Sequence, residues 1–371
     1  MWSAIDKPIS ADGFQSLPVS DTGHELARRA RAAVLTGLLL TIGMLGTAVA
    51  LVNDSKRDPV YNRRLLRLVR QIHETPAKPF TVVMLGSSRT MIACRSNELR
   101  ETLSHGLGRP VAVGNFGIPG CGPAMNLLTW DRLLRDGIRP DFVLIEVMPA
   151  MLSEDWLPWE FAVERLPPSK LRRTDLPIVA KYFGDVRKKM RRDWLLALPN
   201  ALYDSRLDLL NRFASGLLPV ERRGQPAETA LPEDLPALTV DMPLDERQRL
   251  FNVAREPYTE ILKNYHLGGR SCVCFRELLA NVRRAGVPAA LVVMPEGAKF
   301  RSLYAPGAYQ QVTDWLGEMR AEFGVEVIDA HDWREEDDFF DSHHLSLPAA
   351  VNFITGLGKD HLLPIMRGLP R

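Results

Sequence analysis

The chain has 371 residues, of which 46% are hydrophobic and 25% charged, and its formal net charge is +2. This composition is typical of a globular protein with one large domain or two ordinary ones, and the near-neutral charge indicates no overall preference for nucleic acid. The four cysteines are too few for a disulfide scaffold. Cys272 and Cys274 lack the CxxC spacing and the partner pair of a zinc site, so we expect neither a metal nor a cofactor.

The N-terminal part changes from polar to apolar at residue 32. Residues 1–31 are predicted to be a flexible tail. Residues 32–52 carry no charge, and as a helix they span about 30 Å, the thickness of a bilayer core. Ala48-Val49-Ala50 resembles a signal-peptidase site, but the long preceding segment with its acids favours an uncleaved transmembrane anchor. More arginines follow the span than precede it, which favours a cytoplasmic C-terminal domain, whereas the nearest arginines precede it.

An α/β pattern follows the apolar segment. Residues 53–78 predict a juxtamembrane helix, with leucines near helical spacing and arginines between them. Residues 79–152 then alternate strands with helices. Because the strands are continuous apolar runs, they predict a doubly wound parallel sheet that is covered on both faces. The predicted elements are strands at Val82–Leu85, Val111–Val113 and Phe142–Val147, with helices at Ser96–Leu107 and Ala124–Asp136.

Residues 153–265 break this pattern and predict a helical insertion, because prolines punctuate short helix-like stretches without clear strands. Lys170 to Arg192 is strongly basic, which is typical of a solvated helix face and also of a surface that attracts anionic headgroups or an acidic polymer. Trp156 and Trp159 suit either a carbohydrate-binding cleft or packing of the insertion against the core.

The α/β pattern resumes over residues 266–371. Together with residues 79–152 this segment predicts one α/β domain that the insertion divides. The predicted elements are helices at Phe275–Ala285, Tyr309–Phe323 and Pro348–Leu363, with strands at Ala289–Met294 and Val325–Asp329.

Two short motifs carry candidate catalytic groups. Ser88 follows the first strand on a turn that contains Gly86 and opens a helix. Asp341 and His344 precede the final helix with a spacing of three residues. Both motifs fall at the carboxyl edge of the predicted sheet, where they supply the groups of a Ser-His-Asp acyl-transfer site. Two alternatives remain open: Ser87 as the nucleophile and His343 as the base.

A glycine-rich loop, Asn115-Phe-Gly-Ile-Pro-Gly120-Cys-Gly122, follows the second strand. It is compatible with a plain strand-to-helix turn, and also with half of an oxyanion hole formed by a backbone N–H group.

The order of these motifs resembles the SGNH (GDSL-type) hydrolase superfamily, and the N-terminal anchor with a split domain is similar to its cell-envelope branch, which includes polysaccharide O-acetyltransferases. The resemblance covers residues 79–152 and 270–365. It implies a flavodoxin-like fold with Ser88 as nucleophile, His344 as base and Asp341 as the third triad member. The resemblance also implies oxyanion donors at the Ser88 and Gly120 amides, and a catalytic domain on the extracytoplasmic side of the inner membrane.

Two departures from the family pattern affect the expected activity. Ser87 stands where the family has the aspartate of GDS, and Glu146-Val-Met-Pro-Ala150 lacks the usual asparagine of the oxyanion hole. Arg89, Asn115 and Asn126 are candidates to replace that donor. The sequence therefore supports two hypotheses: an envelope O-acyltransferase or esterase that acts on an acylated glycan or related molecule with envelope-biosynthesis partners, or a glycan-binding or assembly protein with little catalysis.

Overall fold

The structure is a computed structural model, which describes residues 21–51, 57–75, 77–154, 170–183, 187–196, 210, 214–217 and 242–369. The chain divides into two compact units, Met1–Asn53 and Asp54–Arg371.

The described part of the first unit is one helix, α1 (Asp21–Leu51). The predicted span, residues 32–52, falls on this helix except for Val52, which lies outside the described residues. Large apolar side chains such as Leu35 and Leu39 are exposed on it. Across the residues that the structure describes, no helix combines the length and the apolar character needed to span a bilayer.

The second unit is built on a five-stranded sheet in which every pair of neighbouring strands is parallel. The strands are β1 (Phe80–Leu85), β2 (Val111–Asn115), β3 (Phe142–Val147), β4 (Ala289–Val293) and β5 (Glu326–Asp329). Their order in the sheet, β2-β1-β3-β4-β5, is compatible with the predicted doubly wound α/β fold. A parallel sheet brings the carboxyl ends of its strands to one edge, and β1 and β3 meet at the position where the strand order changes direction.

Helices cover both faces of this sheet. One face packs against the helices at 123–135, 269–284 and 308–323, and the other packs against those at 96–107, 347–356 and 363–367. The helices of the second unit are α2 (Pro59–Glu74), α3 (Ser88–Ala93), α4 (Ser96–Leu107), α5 (Pro123–Arg135), α6 (Leu176–Tyr182), α7 (Arg187–Leu196), α8 (Leu244–Lys263), α9 (Gly269–Arg284), α10 (Ala298–Arg301), α11 (Ala308–Phe323), α12 (Leu347–Gly356) and α13 (Leu363–Arg367), with a π-helical segment, Leu357–Leu362, between the last two.

Alternation along β1 explains why both faces are apolar. Val83 and Leu85 lie in one core, whereas Val82 and Met84 lie in the other, and all four are fully buried. Burying one such side chain stabilises the fold by about 1.5–3 kcal/mol, so these four side chains hold the strand from both sides.

Polar side chains secure the sheet edge and the start of the domain. The Gln71 side chain of α2 donates to the carbonyl of Val113 and accepts from its N–H, so it covers the exposed edge of β2 as another strand would. Buried Arg132 of α5 forms ion pairs with Asp58, which caps α2, and with Asp175. These contacts join the first helix of the unit to the part of the insertion around residue 175.

The described parts of the predicted insertion are helical, with α6, α7 and α8 as its main elements. The basic run 187–192 lies on α7. Trp156 and Trp159 lie outside the described residues, as does most of the chain between residues 197 and 241.

Candidate active site

The turn after β1 presents the serine motif. Ser87 caps α3, because its hydroxyl accepts a hydrogen bond from the N–H of Arg89, and Ser88 is the first residue of that helix. A Cβ atom on Gly86 would overlap the side chains of Thr90 and Glu146, with the Glu146 Cβ only 2.7 Å away. Glycine is therefore required here by the closeness of two neighbouring side chains.

The structure brings Ser88, His344 and Asp341 together. The Oγ atom of Ser88 lies 2.7 Å from Nε2 of His344, and Nδ1 of His344 lies 2.7 Å from Oδ2 of Asp341. Asp341 is buried and also accepts hydrogen bonds from the N–H groups of residues 343 and 344. Ser88 and His344 are only partly buried, so a substrate has access to the hydroxyl. A serine is activated when its hydroxyl contacts a base and that base contacts a carboxylate, which is the arrangement seen here.

The two alternative residues have other partners. The Ser87 hydroxyl donates to Oε1 of Glu146 at 2.7 Å, not to a histidine. His343 is buried, and its Nδ1 faces the guanidinium of Arg89 at 3.0–3.2 Å. The geometry thus distinguishes Ser88 from Ser87, and His344 from His343.

Glu146 lies buried behind the serine turn, near the carboxyl end of β3. Its carboxylate accepts four hydrogen bonds: from the N–H and hydroxyl of Ser87 at 2.6 and 2.7 Å, and from the N–H and hydroxyl of Thr90 at 3.2 and 2.5 Å. The carboxylate therefore fixes the turn and the first part of α3 to the neighbouring strand. In the sequence, Glu146 could have been noticed because it is the one charged residue in an otherwise apolar strand.

Two backbone amides are available to an oxyanion. The N–H of Ser88 stands at the N-terminus of α3, and the N–H of Gly120 stands in a turn where that glycine has φ of +65°. Within the described part of the chain, neither amide has a hydrogen-bond partner. The loop that carries Gly120 approaches the serine turn closely at Gly117, where a Cβ atom would lie 2.7 Å from the carbonyl oxygen of Ser87.

Asn115 does not present its amide to the site. Its Nδ2 donates to the carbonyls of Thr90 and Cys94 at the end of α3, and its Oδ1 accepts from the N–H of Gly117. Asn115 therefore caps a helix and shapes the loop, which corrects its assignment as an oxyanion donor. Arg89 is likewise engaged, by Glu296 and His343.

Asn126 of α5 is the remaining candidate. Its Oδ1 is 3.4 Å from Sγ of Cys121, while its Nδ2 has no hydrogen-bond partner among the described residues. The side chain is buried and lines a cavity of about 10 Å³ together with Gly86, Ser87 and Glu146. A cavity of this size has room for about one water molecule.

A second group of charged side chains lies beside the triad. Buried Arg89 pairs with buried Glu296 at 2.7 Å, and Glu296 also contacts His331 and Tyr304. Burial opposes the charge on both members, yet their attraction raises the pKa of Arg89 and lowers the pKa of Glu296. Glu296 follows β4 at the carboxyl edge of the sheet, which is the position that could have marked it in the sequence.

No protein-family model and no curated protein sequence matches this chain.

Proposed function

We propose that this chain is a membrane-anchored, SGNH-like serine acyl-ester enzyme, an O-acyltransferase or esterase of the cell envelope. The observation that carries the proposal is the continuous line of contacts from Ser88 through His344 to Asp341. The motif order along the sheet and the two unoccupied amides, of Ser88 and Gly120, support it.

The first half-reaction transfers the acyl group to the enzyme. The Ser88 hydroxyl attacks the acyl carbonyl carbon while Nε2 of His344 takes its proton, and Asp341 holds the imidazole through Nδ1. The negative charge that develops on the carbonyl oxygen is stabilised by the N–H groups of Ser88 and Gly120. His344 then returns the proton to the departing alkoxide, which leaves as an alcohol.

The second half-reaction releases the acyl group from Ser88. The acceptor hydroxyl loses its proton to His344 as it attacks the acyl-enzyme, and His344 then returns a proton to the Ser88 oxygen. Water as the acceptor gives an esterase, and a sugar hydroxyl gives a transferase. Neither course requires a metal or a cofactor.

The setting of the reaction is part of the same proposal. Residues 32–52 would anchor the chain in the inner membrane, with the α/β domain on the extracytoplasmic side, where acylated glycans are modified. The basic sequence run 187–192 would suit an acidic polymer or anionic headgroups.

Fluorophosphonate labelling of the full-length chain in detergent tests the proposal, because this reagent phosphonylates only activated serines. We expect the wild type and Ser87→Ala to be labelled, whereas Ser88→Ala and His344→Ala are not. Ser87→Ala is the comparison for the neighbouring hydroxyl: it keeps the contact of Ser88 with His344 but loses the cap of α3 and the bond to Glu146, so it should be labelled more slowly than the wild type and still be labelled.

The alternative is a glycan-binding or assembly protein of the same fold, which the absence of an asparagine after β3 favours. A folded wild-type protein that no fluorophosphonate labels would favour this alternative. A reporter fused to the C-terminus that is active only in the cytoplasm would contradict the proposed orientation.

A further inference from the structure

A buried ion pair joins the serine turn to the segment after β4, and its arginine also contacts the histidine loop. Arg89 directly follows Ser88, and its Nη2 donates to Oε1 of Glu296 at 2.7 Å. The same guanidinium lies against Nδ1 of His343, with Nε at 3.2 Å and Nη2 at 3.0 Å. The side chains of Arg89 and Glu296 are 2% and 0% exposed, so solvent screens neither charge.

These contacts fix the protonation of His343. An arginine only donates, so Nδ1 of His343 must accept and its proton must be on Nε2. Burial, the charge of Arg89 and the neighbouring His344 hold the pKa of His343 well below its usual range, and the ring is therefore neutral.

The ring of His343 in turn contacts the proposed base. It stacks on Phe300 with ring centres 4.6 Å apart and meets the ring of His344 nearly edge-on at 4.4 Å. A line of contacts thus runs from Glu296 through Arg89 and His343 to His344.

The same loop is held at a strained residue. Ser342 has φ of +61°, the only positive φ at a non-glycine residue in the described part of the chain. Its carbonyl accepts from the N–H of Gly297 at 2.9 Å, and its hydroxyl accepts from the N–H of Phe300 at 3.0 Å. The segment after β4 therefore holds the histidine loop at both Ser342 and His343.

A buried ion pair is costly to desolvate and is weak evidence of stabilisation by itself. We propose that Arg89 and Glu296 are a positioning pair for the triad: they hold His343 against the ring of His344 and balance the charge that the base meets during acyl transfer. This inference rests on the proposed function, because the positioned group is the proposed base.

The two charges act on the base in opposite directions. Loss of the Glu296 charge leaves the Arg89 cation uncompensated, which disfavours a protonated His344. Loss of the Arg89 charge leaves the Glu296 carboxylate uncompensated, which favours a protonated His344. At an effective dielectric constant of about 40, a unit charge about 7 Å away shifts such a titration by about one pH unit. The other charged or titratable groups around this line are Asp341 on the histidine loop, Glu146 behind the serine turn, Tyr258 of α8 against the ring of His343, and His331 and Tyr304 beside Glu296.

The test is the pH dependence of fluorophosphonate labelling by the full-length chain in detergent, from pH 5 to 9. Since the base must be neutral, labelling rises with pH. We expect the midpoint of this rise to move about one unit lower in Glu296→Gln and about one unit higher in Arg89→Met. The double variant should return it near the wild-type position. Asp175→Asn, which disrupts a buried ion pair outside the site, should leave the midpoint unchanged.

A loss of labelling at every pH, without movement of the midpoint, would show a purely structural role and overturn the inference. Glu296→Gln preserves the side-chain shape, so the midpoint measured in this variant still tests the inference if Arg89→Met does not fold. If the wild type is not labelled, the proposed function fails instead, and NMR of ¹⁵N-histidine chains still tests this inference. The NMR signal of His344 is assigned by its absence from the spectrum of His344→Gln. In Glu296→Gln this signal should change at a lower pH than in the wild type, and a midpoint that does not move would overturn the inference.

Discussion

Removal of the buried carboxylate of Glu146 should release the serine turn. This side chain accepts all four hydrogen bonds that join the turn and α3 to β3, from the backbone and hydroxyl groups of Ser87 and Thr90. Glu146→Ala leaves the N–H groups of both residues buried without a partner, whereas the hydroxyls can rotate to other acceptors.

The expected cost follows from those two amides. A buried donor without a partner costs about 1–3 kcal/mol, so Glu146→Ala should lower the free energy of unfolding by about 4 kcal/mol. For a unit of this size that corresponds to a fall in Tm of roughly 8 °C. Glu146→Gln keeps an oxygen for three of the bonds and avoids burying a charge, so it should lose less than half as much.

Thermal unfolding and fluorophosphonate labelling of the same full-length samples measure both effects. A displacement of the nucleophile by about 1 Å is expected to slow labelling about 100-fold in Glu146→Ala. Glu326→Ala is the matched control: this glutamate is also in a strand of the sheet, but its ion pair with Arg320 is exposed, so the change should cost under about 1 kcal/mol. If Glu146→Ala has the same Tm and the same labelling rate as the wild type, Glu146 does not hold the serine turn in place.

Three further predictions concern neighbouring residues. Because the folded protein keeps His343 neutral while the unfolded chain protonates it below about pH 6.5, the free energy of unfolding should fall as pH drops from 6.5, by up to about 1.4 kcal/mol per pH unit; unfolding measured from pH 7.5 to 5 should lose this part of the slope in His343→Gln. Asn126→Leu should slow labelling about 100-fold with little change in Tm if its amide is the missing oxyanion donor, and an unchanged rate would exclude that role. Gly117→Ala places a Cβ 2.5 Å from the N–H nitrogen of Met91, so it should cost about 1–3 kcal/mol of stability; a Tm equal to wild type would contradict the close approach.

The local elements of the sheet were predictable because their signals are local. The apolar run Phe142–Val147 and the helix Ser96–Leu107 have the same bounds in the sequence prediction and in the structure. The second strand extends two residues further than predicted, to Asn115, because glycine and asparagine carry no strand signal but still pair with β1. The sequence also suggested that Ser88 and His344 meet, since both follow strands of one parallel sheet.

Contacts between distant segments were not predictable. Glu146 and Glu296 each carry a charge in an apolar context, but both bind groups at the serine turn, which are 56 or more residues away in the sequence. Asn115 illustrates the same limit. Its place after a strand suggested an oxyanion donor, whereas its amide bonds to the last carbonyls of α3, an arrangement set by how α3 packs on β2.

The most direct test of the central claim is mass-spectrometric mapping of the fluorophosphonate adduct on the wild-type chain. Trypsin should release residues 71–89 as one peptide, because Lys78 precedes a proline, and this peptide ends in Ser87-Ser88-Arg89. We expect the C-terminal fragment Ser88-Arg89 to carry the added mass. An adduct on Ser87 or on a serine elsewhere, or an adduct that forms equally fast in His344→Ala, would contradict the central claim.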